Sequence, residues 1–187
     1  MTSYDLALVP GRTCGGCTVC CTVMAIDKPE IQKEAGVTCR HCAPSGCAIY
    51  QTRPPLCREY HCGWRQLPML DESWRPDRSG VFVEVEPIEG LTGLSLVLIA
   101  NPLKTVRQPW FIDFVSVGVK GDVPLSLGIP GPKGHQGASV LLNTREMLKA
   151  ARHSRAEVKA LLEQDLKRLS AYDFPVREIR NRGNNVA

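Results

Sequence analysis

All nine cysteines of this chain lie between positions 14 and 62, in the segments CGGCTVCC, CRHCAPSGC and CREYHC. Within these segments the Cys-x-x-Cys spacing occurs as Cys14/Cys17, Cys17/Cys20 and Cys39/Cys42. Two intervening residues turn the chain enough for both sulfurs to face one cation, so this spacing is typical of thiolate metal sites. The pattern therefore predicts a metal site with the ligands Cys14, Cys17, Cys20, Cys21, Cys39, Cys42, Cys47, Cys57 and Cys62.

The cysteine pattern leaves the number of metal ions open. Zinc binds four thiolates tetrahedrally, so two such sites would leave one thiol over, whereas three zinc ions with bridging sulfurs could use all nine. Cys20 and Cys21 are adjacent. This favours two sites or a multinuclear one, because neighbouring residues rarely both reach the same small ion.

An iron–sulfur cluster is the competing prediction. Cys14, Cys17 and Cys20 repeat the double Cys-x-x-Cys spacing with which bacterial ferredoxins hold a cubane. Those motifs continue with x3-Cys-Pro, whereas this chain continues directly with Cys21, so Cys57 or a later cysteine such as Cys62 would have to supply the fourth ligand. The expected cofactor is therefore zinc or an iron–sulfur cluster.

Two histidines and three arginines near the cysteines are candidate neighbours of the thiols: His41, His61, Arg53, Arg58 and Arg65. Each histidine is next to a cysteine that is better placed to bind metal, so we expect the histidines to orient the ligands rather than join them. The arginines are expected to offset the negative charge of the thiolates and to donate hydrogen bonds to sulfur.

The cellular compartment determines whether the thiols are expected to bind metal or to form disulfides. The N-terminal segment MTSYDLALVPGRT lacks a basic stretch followed by an apolar run, and the most apolar stretch, residues 91–100, is too short to span a bilayer. We therefore expect a soluble cytoplasmic protein, in which thiols bind metal rather than form disulfides. The alternative, a disulfide-stapled secreted module, would leave one of the nine thiols over.

Composition fits one domain, or one domain with a small module. The chain has 187 residues, of which 43% are hydrophobic, enough for a packed core. Its net charge of +4 is mild, and its lysines and arginines are spread along the chain. Nucleic-acid binding therefore has little support, and a protein partner is the interaction we expect.

The sequence predicts an α+β fold in which a small cysteine-rich module joins a mostly antiparallel sheet with C-terminal helices. Strands are predicted at 80–86, 94–100, 110–119 and 123–129, and a short helix at 29–34. Two more helices are predicted, one from Thr144 to about Arg152 and one from Ser154, with an apolar stripe reaching Tyr172. The predicted division is 1–66 for the metal-binding module, 79–175 for the α+β region packing on it and 176–187 for a flexible tail.

The run CGGCTVCC, followed by CRHCAPSGCAIYQTRPPLCREYHCGW, resembles the signature of the YkgJ-like cysteine-cluster family, whose motif is Cys-x-x-Cys-x-x-Cys-Cys. The resemblance covers roughly the first third of the chain, with its cysteines in the order of the family. It implies a zinc- or iron-chelating domain with no settled reaction or substrate.

No Ser-His-Asp, His-Glu-x-x-His or dinucleotide-binding motif is visible, so we predict no catalytic residue. The favoured interpretation is a non-catalytic metal-binding protein, whose structural metal site supports a partner-binding α+β domain. The alternatives are an iron–sulfur redox or metal-handling protein and, with less support, a metal-scaffolded enzyme.

Overall fold

The computed structural model describes residues 6–176 of the chain. Its N-terminal part is built of short elements linked by turns. These are α1 (Val19–Val23), β1 (Ile26–Lys28), β2 (Ile31–Lys33), β3 (Cys42–Ala43), β4 (Gly46–Cys47), α2 (Pro55–Glu59) and α3 (Gly63–Gln66), with a 3-10 turn at Tyr50–Thr52. Elements this short cannot enclose a sizeable core of their own.

The helix predicted for residues 29–34 is wrong, because this segment belongs to a β-hairpin. Strands β1 and β2 pair antiparallel, with Pro29 and Glu30 in the turn between them. Ile31 and Lys33 are buried while the residue between them is exposed, which is the period-two pattern of a strand. Pro29 favoured the helix prediction because proline suits a first helical turn, but proline sets the backbone for a turn equally well.

Residues 67–79 lead from α3 to the sheet and contain two short helical turns. One is a 3-10 turn at Glu72–Trp74 and the other is α4 (Pro76–Ser79). Gly80 ends α4 with a φ of 71°. This left-handed conformation favours glycine, and it turns the chain into the first strand of the sheet.

The main sheet has four strands in the order β5, β6, β7, β8. They are β5 (Val81–Ile88), β6 (Leu91–Leu98), β7 (Leu125–Ile129) and β8 (Ala138–Leu141). The outer two pairs are antiparallel and β6 runs parallel to β7. The parallel pair is joined by α5 (Pro102–Thr105) and α6 (Pro109–Lys120). The predicted α+β class with a mostly antiparallel sheet is confirmed.

The strand predicted at 110–119 is wrong, because these residues form most of α6. Their aromatic and β-branched side chains have high strand propensity, which is why the pattern favoured a strand. However, Pro109 occupies the first turn, where a proline fits a helix. The buried residues Phe111, Val115 and Val119 follow at helical spacing and face the core.

Two helices complete the fold, α7 (Arg145–His153) and α8 (Arg155–Ser170). Both begin where the sequence predicts, since the hydroxyls of Thr144 and Ser154 accept backbone N–H groups of the first turns. The second helix ends earlier than predicted, and Tyr172 lies outside it with 53% of its surface exposed. Helices α6, α7 and α8 pack on one another, and α6 and α8 also pack on β7. The main core lies between these helices and the sheet.

The cysteine-bearing segment attaches to the edge strand β5. Helix α3 lies so close to it that a Cβ on Gly63 would be 2.6 Å from the nearest methyl of Val83. The N-terminal lead-in is held to the same region by Arg12, whose guanidinium lies over the ring of Trp64 and donates to the carbonyl of Leu67 at 3.0 Å. Helix α3 therefore connects the cysteine-bearing segment directly to β5.

Within residues 6–176, none of the helices combines the length and apolar character that a bilayer crossing requires. Val176 pairs with His135 in an isolated antiparallel bridge. The remainder of the predicted tail, residues 177–187, lies outside the described part of the chain.

Candidate metal centre

Two of the three Cys-x-x-Cys units, Cys14/Cys17 and Cys39/Cys42, form tight turns. The backbone N–H of Cys17 donates to the carbonyl of Cys14 at 2.9 Å, and the N–H of Cys42 donates to the carbonyl of Cys39 at the same distance. All nine cysteines are free of disulfides and half-buried. The thiols are therefore not consumed in disulfides, and part of each cysteine is accessible to a ligand.

The fold brings the first and second cysteine groups together. The N–H of Cys39 donates to the carbonyl of Cys21 at 2.9 Å. Gly46 has a φ of 124°, and a Cβ there would lie 2.7 Å from the carbonyl oxygen of Gly15. The turn of the β3–β4 hairpin thus rests on the loop that carries the first two cysteines, in a position that only glycine fits.

Seven of the nine cysteines line one cavity of about 110 Å³, the larger cavity. All three cysteine segments contribute, and only Cys42 and Cys62 do not line this cavity. The seven are Cys14, Cys17, Cys20, Cys21, Cys39, Cys47 and Cys57. Apolar residues that include Met24, Ile31 and Leu56 also line this cavity. Thiols separated by up to 43 positions in the chain (Cys14 to Cys57) therefore share one space.

A second cavity of about 30 Å³, the smaller cavity, adjoins the first. Four of its lining residues are cysteines: Cys14, Cys17, Cys20 and Cys62. Phe82 of β5 and Trp64 of α3 also line it, so the sheet closes one side. Cys42 lines neither cavity, and in the β3–β4 hairpin it lies opposite Cys47.

Burial acts against ionisation of the thiols around the smaller cavity. It raises the pKa of Cys62 to about 11, while the backbone N–H groups of Arg65 and Trp64 favour the thiolate and oppose the rise. Burial also raises the pKa of Cys17, against N–H groups of Val19 and Asp77. Backbone donors directed at sulfur are the contacts that stabilise a metal-bound thiolate.

The adjacent thiols of Cys20 and Cys21 interact directly. Cys20 donates a hydrogen bond to Cys21, which lowers the pKa of Cys21 to about 6 and raises that of Cys20. The positive charges of Lys33 and Arg53 lower the pKa of Cys21 further. A thiolate is thus favoured at Cys21, on the larger cavity.

Lys33 is a residue of the site that sequence reasoning missed. It is buried, and its Nζ lies within hydrogen-bonding distance of the carbonyls of Thr22, Met24, Glu34 and Val37. Burial lowers the pKa of Lys33, and the nearby thiols Cys39 and Cys21 act against this. No motif signals such a role, since a lysine in a polar hairpin is ordinarily exposed.

Four of the five predicted neighbours of the thiols lie at the cavities, and they are Arg53, His41, His61 and Arg65. Arg53 lines the larger cavity, stacks on the Tyr50 ring at 3.6 Å and donates to the Tyr50 carbonyl at 2.8 Å. His41 lines the larger cavity and His61 the smaller. Burial, together with Arg65 and Arg53, lowers the pKa of His61. Arg58 is exposed on α2 and lines neither cavity.

Arg65 supplies the contact to sulfur that was expected of the arginines. Its Nη1 donates to the Cys14 Sγ at 3.6 Å. Its Nε is buried without a partner, the one such side-chain nitrogen or oxygen in residues 6–176. A buried donor left unpaired costs free energy, so its position in the wall of the smaller cavity fits an additional acceptor there.

Tyr60 lies between the two cavities and lines both. Its hydroxyl donates to Oε1 of Glu84 on β5 at 3.1 Å. Burial raises the pKa of both side chains. This pair is a polar link between the cysteine module and the sheet.

The donor set suits a soft metal, but the thiols do not converge fully. In residues 6–176 no group of three or more Cys, His, Asp or Glu side chains is arranged so that it could hold a metal ion. Metal coordination would therefore require the sulfurs to turn toward a common point. Thiolate-rich surroundings, N–H donors to sulfur and the unpaired Arg65 nitrogen fit zinc or an iron–sulfur cluster.

Comparison of the chain with models of known protein families, with curated proteins and with solved structures finds no significant match. The resemblance to the YkgJ-like cysteine-cluster family therefore stays a prediction based on the motif.

Proposed function

We propose that this chain is a metal-binding protein whose cysteines hold zinc or iron. The observation that carries the proposal is the larger cavity, which is lined by seven thiols from three separate cysteine groups. A soft cation is the ligand that such a set of sulfur donors prefers. The proposal implies a reducing compartment such as the cytoplasm, because oxidation would convert thiol ligands into disulfides.

The proposed role of the metal is structural. A non-catalytic site fits a donor set of thiols, because four sulfurs occupy all the coordination positions of a zinc ion. The sheet and its helices are then the part that engages a protein partner, which stays a prediction.

An iron–sulfur redox or metal-handling protein is the second candidate. The observation that favours it is the size of the larger cavity, about 110 Å³, which exceeds the space of a single ion. A polynuclear cluster would use that space and several of the surrounding thiols.

Elemental analysis and a visible spectrum of the full chain purified without oxygen test both candidates. Stoichiometric zinc in a colourless protein supports the first candidate, and iron with sulfide and visible absorption supports the second. Cys17→Ser and Cys20→Ser should lower the bound metal, while His153→Ala, an exposed histidine of α7, should not. A wild-type chain that holds neither metal after anaerobic reconstitution would refute the proposal.

A further inference from the structure

Eight of the nine thiols divide into two sets by the cavity that they line. The first set lines the smaller cavity and is called the inner set: Cys14, Cys17, Cys20 and Cys62. The second set lines only the larger cavity and is called the outer set: Cys21, Cys39, Cys47 and Cys57. Each set has the four sulfurs that one tetrahedral thiolate site needs.

Electrostatic contacts follow the same division except between the neighbours Cys20 and Cys21, which belong to different sets and share a hydrogen bond. The Cys62 thiol is influenced by the charges of Cys14 and Cys17, which belong to the inner set. The Cys57 thiol is influenced by Cys21, Cys39 and Cys47, which are the rest of the outer set. Proximity within each set is therefore supported by an observation that is independent of the cavity walls.

Helix α1 places one thiol of its adjacent pair in each set. Cys20 lines both cavities, whereas Cys21 lines only the larger. The sequence alone does not show that these two neighbours line different cavities. Their separation accounts for a Cys-Cys pair without requiring both residues to reach one ion.

The two sets differ in the space around them. The cavity of about 30 Å³ leaves less space for an incoming ligand beside a bound ion than the cavity of about 110 Å³ does. Metal exchange by an incoming ligand is therefore easier at the outer set.

We propose that the inner set forms a four-thiolate site that retains its metal, that the outer set forms a second site that exchanges its metal, and that Cys42 binds neither. Backbone donors to Cys62 and the Arg65 guanidinium at Cys14 stabilise the thiolates of the inner site. This inference rests on the proposed function, since it assigns ligands within a metal-binding protein.

The test uses the full chain loaded with Zn²⁺ under anaerobic conditions and a chromogenic chelator in excess. We expect about two zinc ions per chain. They should be released in two phases of similar amplitude, the second at least about tenfold slower. Cys57→Ser should remove the fast phase, Cys14→Ser and Cys62→Ser should remove the slow phase, and Cys42→Ser should retain both.

Cys14→Ser is included because Cys62 precedes α3, and its substitution could disturb folding. Circular dichroism of each variant checks that the fold is kept. Loss of a zinc ion in Cys42→Ser, loss of the same phase in Cys57→Ser and Cys14→Ser, or release in one phase would overturn the inference while the chain still binds metal. A wild-type chain without bound zinc or iron would instead refute the proposed function.

Discussion

Lys33 is the one charged side chain in residues 6–176 with less than a tenth of its surface exposed, at 7%. Its three N–H groups can serve three of the four carbonyls around it at a time. These carbonyls belong to the end of α1, the residue after it and the segment that leads to Cys39. The ammonium group therefore joins the segments that carry the first and second cysteine groups. Its positive charge offsets the negative charge of their thiolates.

Lys33→Met should destabilise the cysteine module by about 2 kcal/mol, because it leaves buried carbonyl groups without a donor while nearly conserving volume. The loss is measured by urea unfolding and by the rate of proteolysis within residues 6–66. Lys28→Met is the matched control, since Lys28 is exposed on the neighbouring strand. Equal stability of the two variants would contradict the role assigned to Lys33.

Glu84 carries a pH-dependent cost that can be measured. Burial and the neighbouring Glu86 raise its pKa, and the Tyr60 hydroxyl acts against them. A carboxyl with a raised folded-state pKa destabilises the fold at pH above that value, and the cost disappears as the pH falls below the unfolded-state value. The cost is about 1.4 kcal/mol for each pKa unit of the rise.

Glu84→Gln should therefore be more stable than the wild type at pH 8, and its advantage should shrink toward zero near pH 4. The amide oxygen still accepts the Tyr60 hydroxyl, so the packing is kept. Because both chains carry the same cysteines, the pH dependence of the thiols cancels in the difference between two urea-unfolding curves. An advantage that is constant with pH, or that grows as the pH falls, would show that the ionised carboxylate is not the cause.

At the scale of elements, α3 controls how the cysteine module meets the sheet. Gly63 has no room for a Cβ, because Val83 Cγ1 would be 2.6 Å away. Gly63→Ala should cost about 1–3 kcal/mol, as small-to-large changes in tight packing do. It should also displace Cys62, which directly precedes α3.

Gly16→Ala is the control for Gly63→Ala. A Cβ on Gly16 would meet nothing within 4 Å, and its φ is not in the left-handed region. Thermal unfolding of the two variants measures the difference. Similar melting temperatures would show that α3 has room to move away from β5 at little cost.

The elements also show which parts of the fold the sequence could predict. The strand at residues 80–86 and the helix caps at Thr144 and Ser154 are local patterns, and all are confirmed. The strand prediction for 110–119 is wrong because it rests on the strand propensity of the side chains, whereas contacts with distant core residues decide the structure of this segment. Local patterns predict elements well only where tertiary packing agrees with them.

The same limit applies to the candidate site. Cysteine spacing predicted a shared thiol site, and seven thiols do line one cavity. The position of Lys33 depends on four backbone carbonyls. The position of Glu84 depends on a contact with Tyr60, more than 20 residues away in the chain. Neither arrangement produces a sequence motif. Residue types that bind metal are visible in a sequence, whereas the groups that set their charge and position are known only from the fold.

At the scale of the whole molecule, hydrophobic burial is distributed unequally. Within residues 6–176, Ile31 is the one fully buried hydrophobic residue before Trp64, whereas the main core is built from Trp64 onward. A segment with so little apolar burial cannot offset its conformational entropy without another source of free energy. Metal binding is the source that the proposed function supplies.

Removal of the metal should therefore unfold the cysteine module and leave the sheet and its helices folded. Hydrogen exchange followed by mass spectrometry, on the full chain before and after anaerobic chelation, should show lost protection within residues 6–62 and retained protection in β5, β6 and α6. Restored protection after addition of Zn²⁺ controls for irreversible damage, and a reductant throughout excludes disulfide formation. Unchanged protection of residues 6–62 after complete metal removal would mean that contacts such as those of Lys33 and Arg12 stabilise the module by themselves.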